Sequence, residues 1–168
     1  MDLAGDERGS TLEATFDLEG TGLTYKTATN LAIFPENTQD DVEEVARLLS
    51  FDLSKRFIFK QSASAKRQTK HPFPGPCTVR DALTRYVDLR GQLRKKLISD
   101  LSQHVKNDAA KAKLLELTAN KEMWSSQVEQ PMLGLLDLVR SYHRDLDLPL
   151  SAFLQITDRL MVSSLTLF

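Results

Sequence analysis

The first part of the chain alternates between apolar and polar positions. The apolar members of the stretch 12–18 are Leu12, Ala14, Phe16 and Leu18. A period of two predicts a strand with one face on a core and the other in water. The short apolar run 31–34 is ended by Pro35, and Gly-Thr-Gly at 20–22 has the composition of a turn. We therefore expect a hairpin-like pair of strands in this part of the chain.

Helical spacing begins after Thr38. Thr38 and Asp41 match the capping-box pattern, in which a hydroxyl and a carboxylate satisfy the free N–H groups of a first helical turn. Apolar residues then recur every three or four positions, which predicts a helix of about three turns that ends near Ser50. The Phe-Ile-Phe run at 57–59 predicts a further short strand, and the small polar residues at 61–69 predict a loop.

A second capping box, formed by Thr78 and Asp81, follows three prolines and opens a helical part of the chain. Apolar stripes at helical spacing predict about four to six helices between residues 76 and 161. The final residues, 165–168, alternate like the start of a strand. We expect eight residues of the stripes to be nearly fully buried: Val42, Leu49, Leu83, Leu97, Leu101, Leu135, Leu136 and Leu154.

The length and charge of the chain restrict the classes of protein to which it can belong. The chain has 168 residues, 41% of them hydrophobic, which suffices for one sizeable core. The formal net charge is -1, from 22 Lys plus Arg and 23 Asp plus Glu, so the overall field favours neither nucleic acid nor a membrane surface. From Ser54 to Arg80, however, the chain has basic residues and no acid. This basic segment fits a solvated loop or a docking patch for a partner.

Residues with catalytic or ligand chemistry are few. Cys77 is the only cysteine, so an internal disulfide and a thiolate zinc site are excluded, and we expect a small buried side chain there rather than an acidified thiol. The three histidines have no ligand partner at helical spacing, and no glycine-rich phosphate loop or nucleophile elbow is present. We expect a cytoplasmic location, because no run has the character of a signal or a membrane span. An anchor of a larger parent protein would lie outside this chain.

Two stretches carry a family resemblance. One consists of Leu-Thr-Tyr at 23–25 with Asn-Leu-Ala-Ile-Phe-Pro-Glu-Asn at 30–37, and the other is Lys-His-Pro-Phe-Pro-Gly-Pro-Cys-Thr-Val-Arg-Asp-Ala-Leu-Thr-Arg-Tyr at 70–86. The first resembles a flavin-barrel segment of the NADPH-cytochrome P-450 reductase family, the diflavin enzymes. The second resembles the opening of that family's helical connecting domain. With looser helical similarity down to Asp158-Arg159-Leu160, the likeness covers roughly residues 12–162.

The resemblance implies an α+β fold, in which a mostly α-helical connecting domain is attached to a partial antiparallel β-barrel of the ferredoxin-reductase type. The implied organisation is a disordered start at 1–11, a partial FAD-type barrel segment with one helix at 12–69, the connecting domain at 70–162 and the start of a further strand at 163–168. A parent oxidoreductase of this family passes electrons from NADPH through FAD and FMN to a haem-type acceptor. The partners would be the FMN and NADPH domains or the haem protein.

The sequence departs from the family where the flavin binds. Family members close the connecting domain with Arg-x-Tyr-Ser, whose Arg neutralises the FAD pyrophosphate and whose Tyr packs on the flavin ring. Ser163, Leu165 and Thr166 occupy these positions here, so Thr166 is the remaining cofactor-binding candidate. The family's Gly-Asp falls on Ala28-Thr29, and its helix arginine near Met132 is missing. We expect no flavin to be bound to this chain, and neither a metal site nor a catalytic residue within it.

Two functions fit these observations. The first is the connecting-domain and partial FAD-binding portion of an NADPH-dependent diflavin oxidoreductase, inactive alone. The alternative is a flavin-free adaptor derived from that fold, which binds another protein through its helical face or through the basic segment. We also expect self-association, because a partial barrel leaves a strand edge unpaired and the run 165–168 carries no charge to block pairing.

Overall fold

The structure is a computed structural model, and it describes residues 15–24, 30–60, 73–161 and 163–166. The chain divides into two compact units, Ala32–Ser163 and a smaller one made of Met1–Leu31 with Ser164–Phe168. A π-helical turn at Ser125–Glu129 follows the fifth helix. In chain order the other elements are β1 (Asn30–Ile33), α1 (Gln39–Leu49), β2 (Arg56–Phe57), β3 (Cys77–Thr78), α2 (Val79–Arg85), α3 (Lys95–Ser102), α4 (Asp108–Ala119), α5 (Lys121–Trp124), α6 (Leu135–Tyr142), α7 (Leu150–Ile156) and β4 (Ser163–Thr166).

The predicted N-terminal hairpin is wrong in its described part. Residues 15–18 form no strand, and Phe16 is 46% exposed. The turn after them is confirmed, because Gly20 and Gly22 both have positive φ angles, of 72° and 70°. An alternating stretch becomes a strand only beside a hydrogen-bonding partner, and 15–18 have no ladder partner in the described parts of the chain. The partner of β1 is β4, in a two-stranded sheet.

The strand predicted at 57–59 begins one residue earlier and is shorter. β2 pairs with β3 in an antiparallel sheet over two residue pairs. The ladder ends there because Pro76, before β3, has no N–H to donate, and α2 begins directly after β3. Ile58 and Phe59 therefore lie beyond the ladder. The fold is α+β, with helices and two small sheets in the described residues.

Both predicted helix starts are confirmed. Thr38 Oγ1 accepts a hydrogen bond from the N–H of Asp41 at the start of α1 (3.3 Å), and Ser50, the residue that caps the end of α1, has a left-handed φ of 56°. At α2 the box is reciprocal. Thr78 Oγ1 accepts from the N–H of Asp81 (3.0 Å), and the carboxylate of Asp81 accepts from the N–H of Thr78 (3.2 Å). These bonds satisfy N–H groups that the first turn of a helix leaves free.

One hydrophobic core joins α1 to the later helices. Helix α1 packs on α2 and α6, so residues on both sides of position 70 contribute to this core, and the domain division at 69–70 stays a prediction. Leu49 was expected to be buried but is half-buried, because it is the last residue of α1 and borders an open cavity. The other seven expected core residues are buried: Val42, Leu83, Leu97, Leu101, Leu135, Leu136 and Leu154.

The stretch 73–161, all of it described, contains the six helices α2 to α7, in agreement with the predicted number. Met132 does not belong to the apolar face of α6. Met132 precedes α6, has a φ of 53° and is 73% exposed, because it lies in the turn between the π-helical turn and α6. In the described ranges, every helix is too short or too polar to cross a membrane.

Candidate functional site

The positions of the family's FAD motif lie on one short strand. Ser163, Leu165 and Thr166 belong to β4. Thr166 as a cofactor ligand stays a prediction, and Ala28-Thr29 lie outside the described residues. Met132, near the position of the family's helix arginine, is an exposed residue in a left-handed conformation.

The other side chains with reactive chemistry are Cys77 and the histidines. Cys77 is buried, and burial, followed by the nearby carboxylate of Asp81, raises the pKa of its thiol, so the thiolate is disfavoured at neutral pH. His143 Nδ1 lies 2.9 Å from the carbonyl oxygen of Arg140, one turn earlier. His71 lies outside the described residues. Within the described ranges, no group of three or more His, Cys, Asp or Glu residues could hold a metal ion.

The segment that leads from α7 towards β4 is tied to the end of α2. We call residues 157–161 the exit segment. The N–H of Asp88 donates to the carbonyl of Asp158 (3.0 Å), and the N–H of Leu160 donates to the carbonyl of Tyr86 (3.1 Å). These two bonds fix the backbone of the exit segment against residues that follow α2.

Arg159, in the exit segment, is a cation in largely apolar surroundings. Its guanidinium lies 5.0 Å from the ring centre of Phe73, and that ring stacks on Tyr86 with centroids 4.6 Å apart. Nη2 donates to the carbonyl of Leu154 (2.9 Å), while the buried Nη1 has no hydrogen-bond partner. Burial lowers the pKa of Arg159, which means that the surroundings disfavour its charge. No carboxylate pairs with Arg159 among the residues described.

A cavity of about 740 Å³ lies between residues 55–60 and α7, and we call it the β2–α7 cavity. Three cations line it: Lys55, Lys60 and Arg159. Its apolar lining includes Phe57, Ile58, Leu150 and Leu154. None of the described residues that line it is an acid. The cavity therefore combines positive charge with an apolar wall.

A second cavity, of about 510 Å³, lies beside the C-terminal end of α1 and has a different charge pattern. Asp52 and Asp147 line it together with Lys55 and His143. Hydrogen bonds from the side chain and backbone of Ser54 lower the pKa of Asp52, so its carboxylate stays charged at neutral pH. This cavity has acids on its wall where the β2–α7 cavity has none.

Polar contacts bind α1 and the residues before it to the helical part. Asn37 Nδ2 donates to the carbonyls of Leu83 (2.7 Å) and Val87 (2.6 Å). Arg140 makes a bidentate pair with Glu44, with Nε–Oε1 3.0 Å and Nη2–Oε2 2.6 Å. These bonds lower the pKa of Glu44. These paired hydrogen bonds join elements that are far apart in the chain, and they hold α1 in one orientation.

The sequence pattern did not point to the β2–α7 cavity. In the sequence, Lys55 and Lys60 are distinguished only as members of the acid-free basic segment. Arg159 is distinguished only as part of the family resemblance. The signal that could have led to the cavity is the absence of acids after Ser54. Nothing in the sequence showed that Arg159, about a hundred positions later, would join these lysines.

Comparisons with known proteins agree with the family resemblance. Residues 3–162 match the family model described as FAD binding domain. The chain is 27% identical to the NADPH–cytochrome P450 reductase of Saccharomyces cerevisiae over 129 residues, which are 77% of this chain and 18% of that protein. The reductase of Drosophila melanogaster is 26% identical over 136 residues (77% of the chain, 20% of the protein), and that of Cavia porcellus is 25% identical over 130 residues (75% and 19%). The chain thus spans about a fifth of the length of these relatives.

Proposed function

Because the chain belongs to the family of FAD binding domains, we propose that it is the connecting-domain and partial FAD-binding portion of an NADPH-dependent diflavin oxidoreductase. The parent protein would pass electrons from NADPH through FAD and FMN to a haem-type acceptor, the class of protein named in its relatives. The match of the family model over residues 3–162 carries this proposal. The chain by itself would be non-catalytic, and its partners would be the FMN and NADPH domains or the haem protein.

The proposed organisation is a helical connecting domain inserted into a flavin barrel. Residues 12–69 and 163–168 would contribute barrel strands, and 70–162 would form the connecting domain. The pairing of β1 with β4 supports this proposal, because every helix of the described residues lies between these two strands in the chain. An insertion between neighbouring strands of one sheet would produce this order.

The role of the helical part in this proposal is positioning. Electron transfer between two flavins requires that they be held close together in a defined orientation. The common core of α1 with α2 and α6, together with the polar contacts of Asn37 and Glu44, would make the insert a rigid spacer. A free buried thiol at Cys77 suits a reducing compartment, so we propose a cytoplasmic location.

The residues of β4 do not fit FAD well. A pyrophosphate carries two negative charges and needs cations or N–H donors, and a flavin ring needs an aromatic or apolar face. Ser163 provides no cation, Leu165 provides an aliphatic face in place of the aromatic ring, and Thr166 would provide one hydroxyl. We therefore assign no step of electron transfer to this chain. The same replacements favour the second candidate, a flavin-free adaptor that binds another protein.

A chimera tests the positioning role. Residues 32–161 of this chain would replace the matching segment of the Saccharomyces cerevisiae reductase, and NADPH-dependent reduction of a haem protein would be measured. If this chain is a connecting portion, the chimera binds FAD and FMN through yeast residues and transfers electrons at a measurable rate. A chimera that binds both flavins and accepts hydride, yet passes no electron to FMN, would contradict the positioning role and favour the adaptor.

A further inference from the structure

The β2–α7 cavity has three cations on its wall, and among the described residues only Lys55 has an acid beside it, Asp52. Lys55, Lys60 and Arg159 line it, and none of the described lining residues is an acid. Of the acids close in sequence, Asp158 pairs with Arg94 (3.3 Å) instead. Arg159 also has a buried nitrogen without a hydrogen-bond partner. A poorly solvated cation without a counterion raises the free energy of the empty site, and an anion in the cavity would lower it.

The wall of the cavity is suited to an apolar body. Ile58 is 57% exposed although it is a large aliphatic residue, and it lies beyond the β2 ladder. Leu150 and Leu154 of α7 line the cavity together with Phe57 and Ile58. An apolar molecule that covered these side chains would remove apolar surface from water, which favours binding.

The two lysines are separated along the chain. β2 covers only Arg56–Phe57, and the rings of Phe57 and Phe59 lie 5.5 Å apart. At a rise of about 3.3 Å per residue the backbones of Lys55 and Lys60 are at most roughly 16 Å apart. A small head group at one end of the cavity would lie nearer to one lysine than to the other. The ligand would therefore place its charge at one end of the cavity and its body along the apolar wall.

We propose that the β2–α7 cavity binds an elongated amphipathic anion, which has an apolar body and one terminal carboxylate or phosphate. This inference does not depend on the proposed reductase function, because the positioning role does not use the cavity. The neighbouring cavity at the end of α1 would not bind such a ligand, since Asp52 and Asp147 line it.

Calorimetric titration of the full chain tests the proposal, with all probes kept below their micelle concentrations. Laurate and dodecyl phosphate represent the two head groups, dodecanol represents the body without charge, and inorganic phosphate represents the charge without body. We expect one molecule of laurate or dodecyl phosphate to bind per chain, with at least tenfold weaker binding of dodecanol and of phosphate. The stronger of the two anions identifies the head group. Equal binding of dodecanol, or no saturable binding of either anion, would overturn the proposal.

Matched variants locate the binding in the cavity. Ile58→Asp places a negative charge on the exposed wall and should weaken anion binding at least tenfold, while the neutral Ile58→Asn should weaken it less than threefold. Lys55→Gln and Lys60→Gln should differ, with a loss of about fivefold for the lysine near the head group and little loss for the other. Lys113→Gln, on α4, is the control for total charge and should bind like the unaltered chain. Both lysines are exposed, so these variants keep the fold, which circular dichroism would check. Binding that is unchanged in Ile58→Asp would show that the anion lies elsewhere.

Discussion

The carboxylate of Asp41 accepts two hydrogen bonds from the guanidinium of Arg90, with Nε–Oδ2 2.8 Å and Nη2–Oδ1 2.6 Å, although 49 residues separate them in the chain. The side chain of Asp41 is 5% exposed, and that of Arg90 is 62% exposed. A carboxylate that is nearly buried must be compensated, and Arg90 provides that compensation from the loop after α2. The pair thus joins the first turn of α1 to the helical part.

Loss of this ion pair should make the chain less stable and less sensitive to acid. Hydrogen bonding by Arg90 lowers the pKa of Asp41 below its ordinary value of 3.8. The pair therefore stabilises the fold fully above that value, and the stabilisation is lost as the pH falls through the lowered pKa. We expect Asp41→Asn to reduce the free energy of unfolding by about 1–2 kcal/mol at pH 7, and by progressively less below pH 4. Urea unfolding at several pH values measures both effects. Asp40→Asn, at an exposed neighbour, should change stability by less than about 0.5 kcal/mol at pH 7.

Asn37 should be important for the attachment of the segment before α1. Its amide donates to the carbonyls of Leu83 and Val87, and its own N–H donates to the carbonyl of Thr84 (2.9 Å). Asn37→Ala leaves two partly buried carbonyls without a partner, so we expect a loss of about 1–3 kcal/mol in thermal or urea unfolding. Gln39→Ala, which removes one exposed hydrogen bond to Glu43, is the control and should have little effect. Equal effects of the two substitutions would mean that Asn37 does not anchor the segment.

The reciprocal capping box at α2 should contribute measurably to stability. Thr78→Ala removes the hydroxyl that accepts from the N–H of Asp81, and we expect a loss of about 1 kcal/mol. Thr78→Ser keeps the hydroxyl and should lose only a few tenths of that amount. Helix content from far-ultraviolet circular dichroism and a chemical melt together measure the effect. A serine variant as unstable as the alanine variant would assign the loss to the methyl group instead.

The chain should neither retain FAD nor reduce cytochrome c with NADPH. Ser163 and Leu165 stand where the family has the cation and the ring that hold FAD, and the chain covers about a fifth of its relatives. Calorimetric titration with FAD should show no micromolar binding. The variant Ser163→Arg with Leu165→Tyr is a useful comparison, because any gain in FAD affinity there would assign the defect to these two positions. Micromolar binding by the unaltered chain would contradict the prediction and assign a larger role to residues such as Thr166.

Self-association should involve apolar side chains near β1. Phe34 follows β1 and is 76% exposed, so burial of its ring against a second copy would remove apolar surface from water. We expect light scattering after size exclusion to show a dimer or larger species, and Phe34→Glu to shift it towards the monomer. Leu115→Glu, at an exposed leucine of α4, should leave the association unchanged. A monomer at high concentration of the unaltered chain would refute the expectation.

Local rules predicted the helices well and the strands poorly. The hydroxyl and carboxylate at Thr78 and Asp81 are three positions apart, so the capping box forms from residues that the sequence already places together. A strand depends on a partner that the sequence does not specify. For this reason the alternation at 15–18 did not produce a strand. β1 pairs with β4, which lies near the other end of the chain.

The sequence by itself determined the starts of α1 and α2, seven of the eight expected core residues and the family, because capping and periodicity act within a few residues and the family motifs are contiguous. Only the tertiary structure decided that Lys55, Lys60 and Arg159 line one cavity without an acid, and that Asp41 meets Arg90. These groupings depend on how the helices pack. Packing brings together residues that are far apart in the chain, and no regular spacing in the sequence marks them as neighbours. The candidate site is of this kind, and so the basic segment revealed its charge but not the place where that charge acts.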